Sequence, residues 1–461
     1  MRFNSLEFAL FFPLVFVLSL VLEGRRRQLL LLFASWFFYG TWNAPFLLLL
    51  WFTTGFDYFM VARIARTEAR AARKAYLALS LAANLGILVY FKYGNFFLDN
   101  IAFVSGIDPS PFYLKLVIPL GISFYTFQSM SYVIDVYRRE IAPCDDFLQY
   151  SLYVTFFPHL IAGPILRAQE FLPQLKRVDP VRQEEILRGV ELFLLGLFKK
   201  VVVADNVAVI VDRVFEAPER FGAGAIGLGA ALFLVQVYCD FSGYSTMAQG
   251  LGSFFGIKLP RNFDYPLLRW NPLLYRRSWH VTMGNWFQDY VFRPLGGGRV
   301  GDARYAFNLI ATWTLLGLWH GASWHFVLWG FTNGIILATY LVALRRKRWS
   351  LPEFPGRRIG GWLINAFFWL PGSIFFRAQN LHEVRTMLER LYTGAPGLGI
   401  AWGWYAVLAA LVGVHLLSFL YYKEDLLQRA AWPGRVALVS AMTLLIAALG
   451  AEGRTFIYFQ F

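Results

Sequence analysis

Gly317-Leu318-Trp319-His320-Gly321-Ala322 joins two apolar stretches, 306 to 319 and 323 to 344, and its reading decides the fold. A membrane helix needs about 20 predominantly apolar residues, which the second stretch reaches and the first does not. An imidazole inside such a run is costly, so His320 marks a functional site by default. The rest of the chain has the same character. With 57% hydrophobic, 18% aromatic and only 16% charged residues in 461, and a mean hydropathy of +0.48, the polar surface is too small for a water-soluble globule of this size. A multi-pass membrane protein is expected.

Apolar segments recur at about 6 to 22, 28 to 40, 45 to 62, 76 to 98, 112 to 134, 147 to 165, 188 to 212, 222 to 250, 306 to 319, 323 to 344, 359 to 376, 402 to 422 and 436 to 451. Several are too short to cross a bilayer alone, so hairpins or re-entrant pieces are expected among them. The first run lacks a basic start and a small-residue cleavage pattern, and Arg25-Arg26-Arg27 follows it, which predicts a retained membrane helix. No fixed-period repeat, linker or low-complexity stretch is visible. The sequence therefore predicts one integral-membrane domain over 1–461, closing in an aromatic tail at 456–461.

The formal net charge is +14, but the basic residues gather between apolar segments: Arg25 to Arg27, Arg63 to Lys74, Arg138-Arg139, Lys176-Arg177, Arg345 to Arg348 and Lys423 to Arg435. That is the signature of cytoplasmic loops, and no nucleic-acid partner follows from it. The basic region 257 to 305, rich in Trp, Pro and Gly, reads as amphipathic or re-entrant structure at the mouth of a cavity, the setting in which irregular backbone is tolerated at membrane depth. The charge alternation places the last residues on the extracytoplasmic side. Cys144 and Cys239 have neither disulfide nor zinc spacing and are expected to be inert core residues.

A second histidine, His280, stands in Arg277-Ser278-Trp279-His280-Val281-Thr282. Imidazole has the side-chain pKa nearest neutrality, and a dry cavity favours its neutral form, which suits a base that takes a proton from a hydroxyl. Trp319 and Trp324 are candidates to wall such a cavity, while Gly317 and Gly321 permit close backbone approach around His320. The competing reading for His320 is a structural histidine bonded to a carbonyl. For His325 and His415 the structural reading is preferred, and His159, after Pro158, stands between the two. His382-Glu383 opens like a zinc-protease motif, but Thr386 occupies the place of its second histidine, so metal hydrolysis is rejected and no metal is expected. No GxGxxG or Walker sequence is present, so no nucleotide hydrolysis is expected.

Several ordered motifs make the comparison specific: Pro119-Leu120-Gly121-Ile122-Ser123-Phe124, Asp135-Val136-Tyr137-Arg138, Phe156-Phe157-Pro158-His159-Leu160-Ile161-Ala162-Gly163-Pro164-Ile165, Asp240-Phe241-Ser242-Gly243-Tyr244-Ser245, Leu259-Pro260-Arg261-Asn262-Phe263, Trp279-His280, Asp289-Tyr290 with Pro294-Leu295-Gly296-Gly297, and Leu318-Trp319-His320-Gly321. Together they resemble the membrane-bound O-acyltransferase family, in its bacterial polysaccharide branch. The resemblance runs from about 90 to 335 and resumes at the end of the chain. It implies an all-α bundle with re-entrant segments around a cavity that crosses the membrane, in which an acyl group moves from a cytoplasmic thioester toward an acceptor on the other side. His320 matches the family's catalytic histidine and His280 its second histidine, the first implied as base or orienting group and the second as a partner of the thioester. The chain departs from the family pattern at Thr246, Ser278 and His159, which spares both histidines and bears on which polymer is modified.

The implied donor is acetyl-CoA, a substrate and not a resident cofactor. Its phosphates would be drawn to Lys258, Arg261, Arg269, Arg276 and Arg277, unless these cations only face lipid headgroups or enforce topology. Trp279, Trp319, Asp240 and Tyr244 are candidate cavity-lining residues. The expected partners are membrane lipid, a polysaccharide acceptor and an extracytoplasmic acetyltransferase, with the protein in the bacterial inner membrane. D-alanyl transfer to teichoic acid or acylation of a lipid would use the same histidines, and a channel or transporter with a histidine proton relay is the non-enzymatic alternative. The ending Phe456-Ile457-Tyr458-Phe459-Gln460-Phe461 resembles aromatic tails of this family, which implies Tyr458 as an acyl acceptor or relay; an interfacial aromatic anchor is the competing reading.

Overall fold

The computed structural model describes residues 1–176, 180–346, 356–422, 430–451, 454, 456 and 457. Among them the architecture is all-α, as expected, and the β-type pairings are two isolated bridges, Phe221 with Leu398 and Phe263 with Trp279. Seven helices among the described residues are long and apolar enough to cross a bilayer: Pro45–Arg66, Arg70–Ser105, Ala223–Phe254, Trp324–Arg345, Arg358–Arg377, Trp402–Leu420 and Trp432–Leu449. Leu6–Val21 is a shorter apolar helix.

The other apolar segments fold differently because apolarity also serves burial against protein. Segment 147 to 165 becomes a nine-residue helix, Phe147–Thr155, and a single turn, Phe157–Leu160. Asp146 starts the first by accepting the Leu148 N–H at 2.9 Å. Tyr150, Leu152, Tyr153 and Val154 are fully buried, so this helix is core and not a span. Trp402–Tyr422 shows the opposite pattern, with Val414, Leu417 and Leu420 more than half exposed, a surface suited to lipid.

The described residues group into two compact units, Met1–Phe193 with Ser245–Pro260, and Leu194–Tyr244 with Arg261–Phe461. The sequence predicts one domain because no linker composition interrupts it. Two of the divisions fall inside continuous helices, Gln183–Leu197 and Ala223–Phe254, where no linker signal is possible.

In the first unit, helices Pro45–Arg66 and Arg70–Leu88 are stapled by Asp57, whose carboxylate accepts from Ser80 Oγ at 2.6 Å and from Asn84 Nδ2 at 2.9 Å. A buried carboxylate is costly unless hydrogen-bonded in this way. His159 is buried, and its Nε2 lies 3.2 Å from the Tyr153 carbonyl.

In the second unit, helices Asp302–His320 and Trp324–Arg345 form a hairpin whose backbones touch through glycine. A Cβ at Gly317 would stand 2.3 Å from the Phe326 carbonyl oxygen and 2.9 Å from Gly330 Cα; one at Gly330 would stand 2.3 Å from the Trp313 carbonyl oxygen. Only glycine allows that approach. The hairpin thereby fixes the end of the first helix, and His320 is its last residue.

Candidate functional site

His280 and His320 line one cavity of about 270 Å³ in the second unit, together with Arg276, Arg277, Trp279, Gln288, Tyr305, Thr312, Trp313 and Trp329. Forty residues separate them in sequence, and different devices deliver them. His320 arrives on the end of a helix locked by its hairpin. Its ring is enclosed by Trp319, Trp329 and Phe376, at centroid distances of 4.8, 5.2 and 4.9 Å. Three aromatic rings hold one rotamer of the imidazole, which leaves it 4% exposed while still facing the cavity.

His280 sits at the entry to helix Val281–Phe287 with φ 41° and ψ 57°. Left-handed backbone costs a residue with a Cβ roughly 1–2 kcal/mol, so its surroundings must impose it. Asn262 supplies the restraint. Its carbonyl accepts the Val281 N–H at 2.9 Å, and its Oδ1 accepts from Thr282 Oγ1 at 2.6 Å. The Phe263–Trp279 bridge, with the Asp264 N–H on the Ser278 carbonyl at 2.9 Å, holds the strand of chain on the other side. Phe241 meets the His280 ring edge-on at 4.5 Å. His280 lies outside the seven spanning helices, and burial pushes its pKa down to about 3, so the neutral imidazole persists at physiological pH.

The candidate cations separate. Arg276 and Arg277 line the cavity; Arg276 is hydrogen-bonded to Gln288 Oε1, and Arg277 is exposed. Arg269 instead braces the loop before His280, donating to Ser278 Oγ at 2.9 Å and pairing with Asp264. Arg261 is not among the lining residues. Lys258 belongs to the first unit, where its backbone N–H donates to Gln174 Oε1 at 2.8 Å.

Of the four candidate lining residues, Trp279 lines the cavity and Trp319, Asp240 and Tyr244 do not. Trp319 packs behind the site against both histidines. Asp240 is ion-paired to Lys200 at 2.5 Å, and Tyr244 packs on Phe456. Trp324, the other proposed wall residue, is 51% exposed and also absent from the lining. Tyr458 lies outside the described residues. Phe376, Trp329 and Asn262 are the site residues the sequence reading did not single out; only Asn262 lay within a quoted motif. Glu383 has a plain role at the start of helix Leu381–Thr393: its N–H donates to the N-cap Asn380 Oδ1 at 2.9 Å, and its carboxylate accepts the Gln379 N–H at 2.9 Å.

The chain matches a family model, membrane-bound O-acyltransferase, over residues 36–382. The chain belongs to the membrane-bound O-acyltransferase family. It is 36% identical over 426 residues to the peptidoglycan O-acetyltransferase of Helicobacter pylori, covering 85% of this chain and 79% of that protein. A probable alginate O-acetylase of Pseudomonas aeruginosa is 37% identical over 402 residues, 85% of this chain and 75% of the relative. The teichoic acid D-alanyltransferase of Streptococcus thermophilus is 26% identical over 248 residues, half of this chain and 58% of the relative. This multi-pass membrane protein is an O-acyltransferase, which decides against the transporter alternative.

Proposed function

We propose that the protein takes an acetyl group from cytoplasmic acetyl-CoA and passes it across the bacterial inner membrane for O-acetylation of a secreted or cell-envelope polysaccharide. The observation that carries this reading is that one cavity is lined by His280, His320, Arg276 and Arg277 together. The acetyl group and the polysaccharide class are supported by what the relatives at 36% and 37% identity are named for.

His320 accepts the proton of the attacking hydroxyl as its oxygen bonds to the thioester carbonyl carbon. The C–S bond then breaks, and the coenzyme A thiolate leaves and recovers a proton from the imidazolium. A neutral His280 carries one N–H donor, suited to the thioester carbonyl oxygen as charge develops there. Arg276 and Arg277 receive the donor's phosphates. Tyr458 is the proposed first acceptor: its phenol, deprotonated by His320, becomes an aryl acetate that an extracytoplasmic acetyltransferase passes to the polymer.

The test is release of coenzyme A thiol by the purified protein supplied with acetyl-CoA. A D-alanyl carrier-protein thioester serves as the comparison donor. Turnover of acetyl-CoA that is lost in His320→Ala supports the reading. Turnover of the D-alanyl thioester alone would replace it.

A further inference from the structure

Ala451, Arg454, Phe456 and Ile457 each meet the rest of the second unit at a separate point. The Ala451 N–H donates to the Val201 carbonyl at 3.1 Å. Arg454 pairs with one oxygen of Asp212, whose other oxygen accepts from Arg377 at 2.8 Å. Phe456 is 3% exposed, and its ring packs 5.5 Å from Phe241 and 5.0 Å from Tyr244. The Ile457 N–H donates to Asp240 Oδ2 at 2.7 Å, and Ile457 is also 3% exposed.

Asp240 makes its anchor within a buried ionic cluster. Its Oδ1 lies 2.5 Å from Lys200 Nζ, which in turn lies 2.8 Å from Asp205 Oδ1, and all three side chains are buried. A buried carboxylate is held in place by its cation, and breaking such a pair is costly. With Oδ1 committed to Lys200, Oδ2 presents a fixed ionic acceptor to one main-chain N–H, a bond about twice as strong as its neutral counterpart. The helix Ala223–Phe254 that carries Asp240 also carries its neighbour Phe241. Phe241 receives Phe456 on the one hand and meets His280 at 4.5 Å on the other.

We propose that Asp240, held by Lys200, is a positioning residue for the transfer site. It docks Phe456 and Ile457 against the core, so that Phe456 backs the Phe241 ring that seats His280 and the backbone immediately before Tyr458 is fixed. Asp240 acts through the Ile457 N–H and the Phe241 ring without touching the reacting atoms. The effect on the donor rests on the acetyl-transfer reading, whereas the docking itself does not.

Asp240→Asn separates docking from folding. The carboxylate pairs ionically with Lys200 through Oδ1 and accepts the Ile457 N–H through Oδ2, but an amide has one oxygen and its NH₂ repels whichever donor it faces. The charged Lys200 takes the oxygen, and the bond to Ile457 is lost while Lys200 stays paired with Asp205. Docking is read as the rate at which trypsin releases the peptide 455 to 461 from the purified full chain, followed by mass spectrometry. At least a tenfold faster release in Asp240→Asn is expected; unchanged release from a folded variant would overturn the proposal. Should that variant fail to fold, Ile457→Pro removes the N–H donor, with a change of side chain and a fixed φ at that position, and leaves the Lys200–Asp240 pair intact. It must give the same acceleration, and retained protection would again sink the idea.

Coupling to the site is read as the affinity of a non-hydrolysable thioether analogue of acetyl-CoA. Asp240→Asn and a chain stopped after Arg454 should each weaken analogue binding about fivefold or more, and the combination should be no weaker than the stopped chain alone. A purely structural ion pair would instead give penalties that multiply, and that result overturns the positioning role. If the intact protein does not bind the analogue at all, the acetyl-transfer reading has failed, and the trypsin measurement still decides the docking.

Discussion

His280 and His320 pack against the same indole: the Trp319 ring centroid is 5.9 Å from one imidazole and 4.8 Å from the other. Trp319 is 3% exposed and sits behind the cavity, so the two histidines share a fixed support while both face the same space. Shrinking this support disturbs both rings. Trp319→Ala is expected to lower acetyl transfer at least tenfold, with the protein still inserted in the membrane, and measured turnover within twofold of wild type would refute the shared-support role.

His320→Ala removes the proposed base but none of the three rings that enclose it. Transfer should fall by roughly 10² to 10⁴, the range for a lost general base. Expression and detergent melting temperature are the controls, and near-normal transfer by a well-folded variant would end the assignment.

His280 makes a pH-dependent contribution whose sign follows from its environment. Its pKa is about 3 in the folded protein against 6.5 for the free side chain, so below about pH 6.5 the unfolded chain binds a proton that the folded chain refuses. This contribution is complete above pH 6.5 and is lost as pH falls toward 3. Melting temperatures measured from pH 7.5 to 5 should drop more steeply in wild type than in His280→Gln. Equal slopes would show that the buried neutral imidazole is not a stability determinant.

Arg277 lines the cavity and is exposed, which suits capture of a phosphate-bearing donor more than chemistry. Arg277→Glu should raise KM for acetyl-CoA roughly tenfold with kcat within about twofold, and the difference should shrink at high salt. A loss confined to kcat would assign Arg277 a different role.

Gly330 permits the contact that places His320. A Cβ there meets the Trp313 carbonyl oxygen at 2.3 Å and Gly317 Cα at 2.9 Å, so Gly330→Val must push the hairpin apart. Overpacking of this kind costs about 1–3 kcal/mol or more. A lowered melting temperature with transfer reduced well beyond the loss of folded protein is expected, and an unchanged melting temperature would show that the helices have room to separate.

Tyr458→Phe keeps an aromatic ring and deletes only the hydroxyl. Under the relay, polymer O-acetylation is lost and labelled acetyl no longer appears on the peptide containing residue 458. Full polymer acetylation by this variant, measured in cells, would leave the tail as an aromatic anchor.

The sequence by itself determined the membrane class, the all-α architecture and the family, because composition, apolar runs and local motifs such as Leu318-Trp319-His320-Gly321 are properties of contiguous residues. It also singled out both histidines, since an imidazole in an apolar setting is conspicuous without coordinates. Local apolarity did not say which segments span. Phe147–Thr155 is apolar for protein contact, and only packing distinguishes it from a lipid-facing helix. Nor did it sort the arginines, because charge in sequence does not show whether a guanidinium braces a loop, as Arg269 does, or lines a cavity, as Arg276 and Arg277 do. Asp240 and Phe376 needed the tertiary structure most. One is joined to Ile457, the other to His320, by contacts between residues far apart along the chain, and such contacts exist only once the helices that carry them have packed.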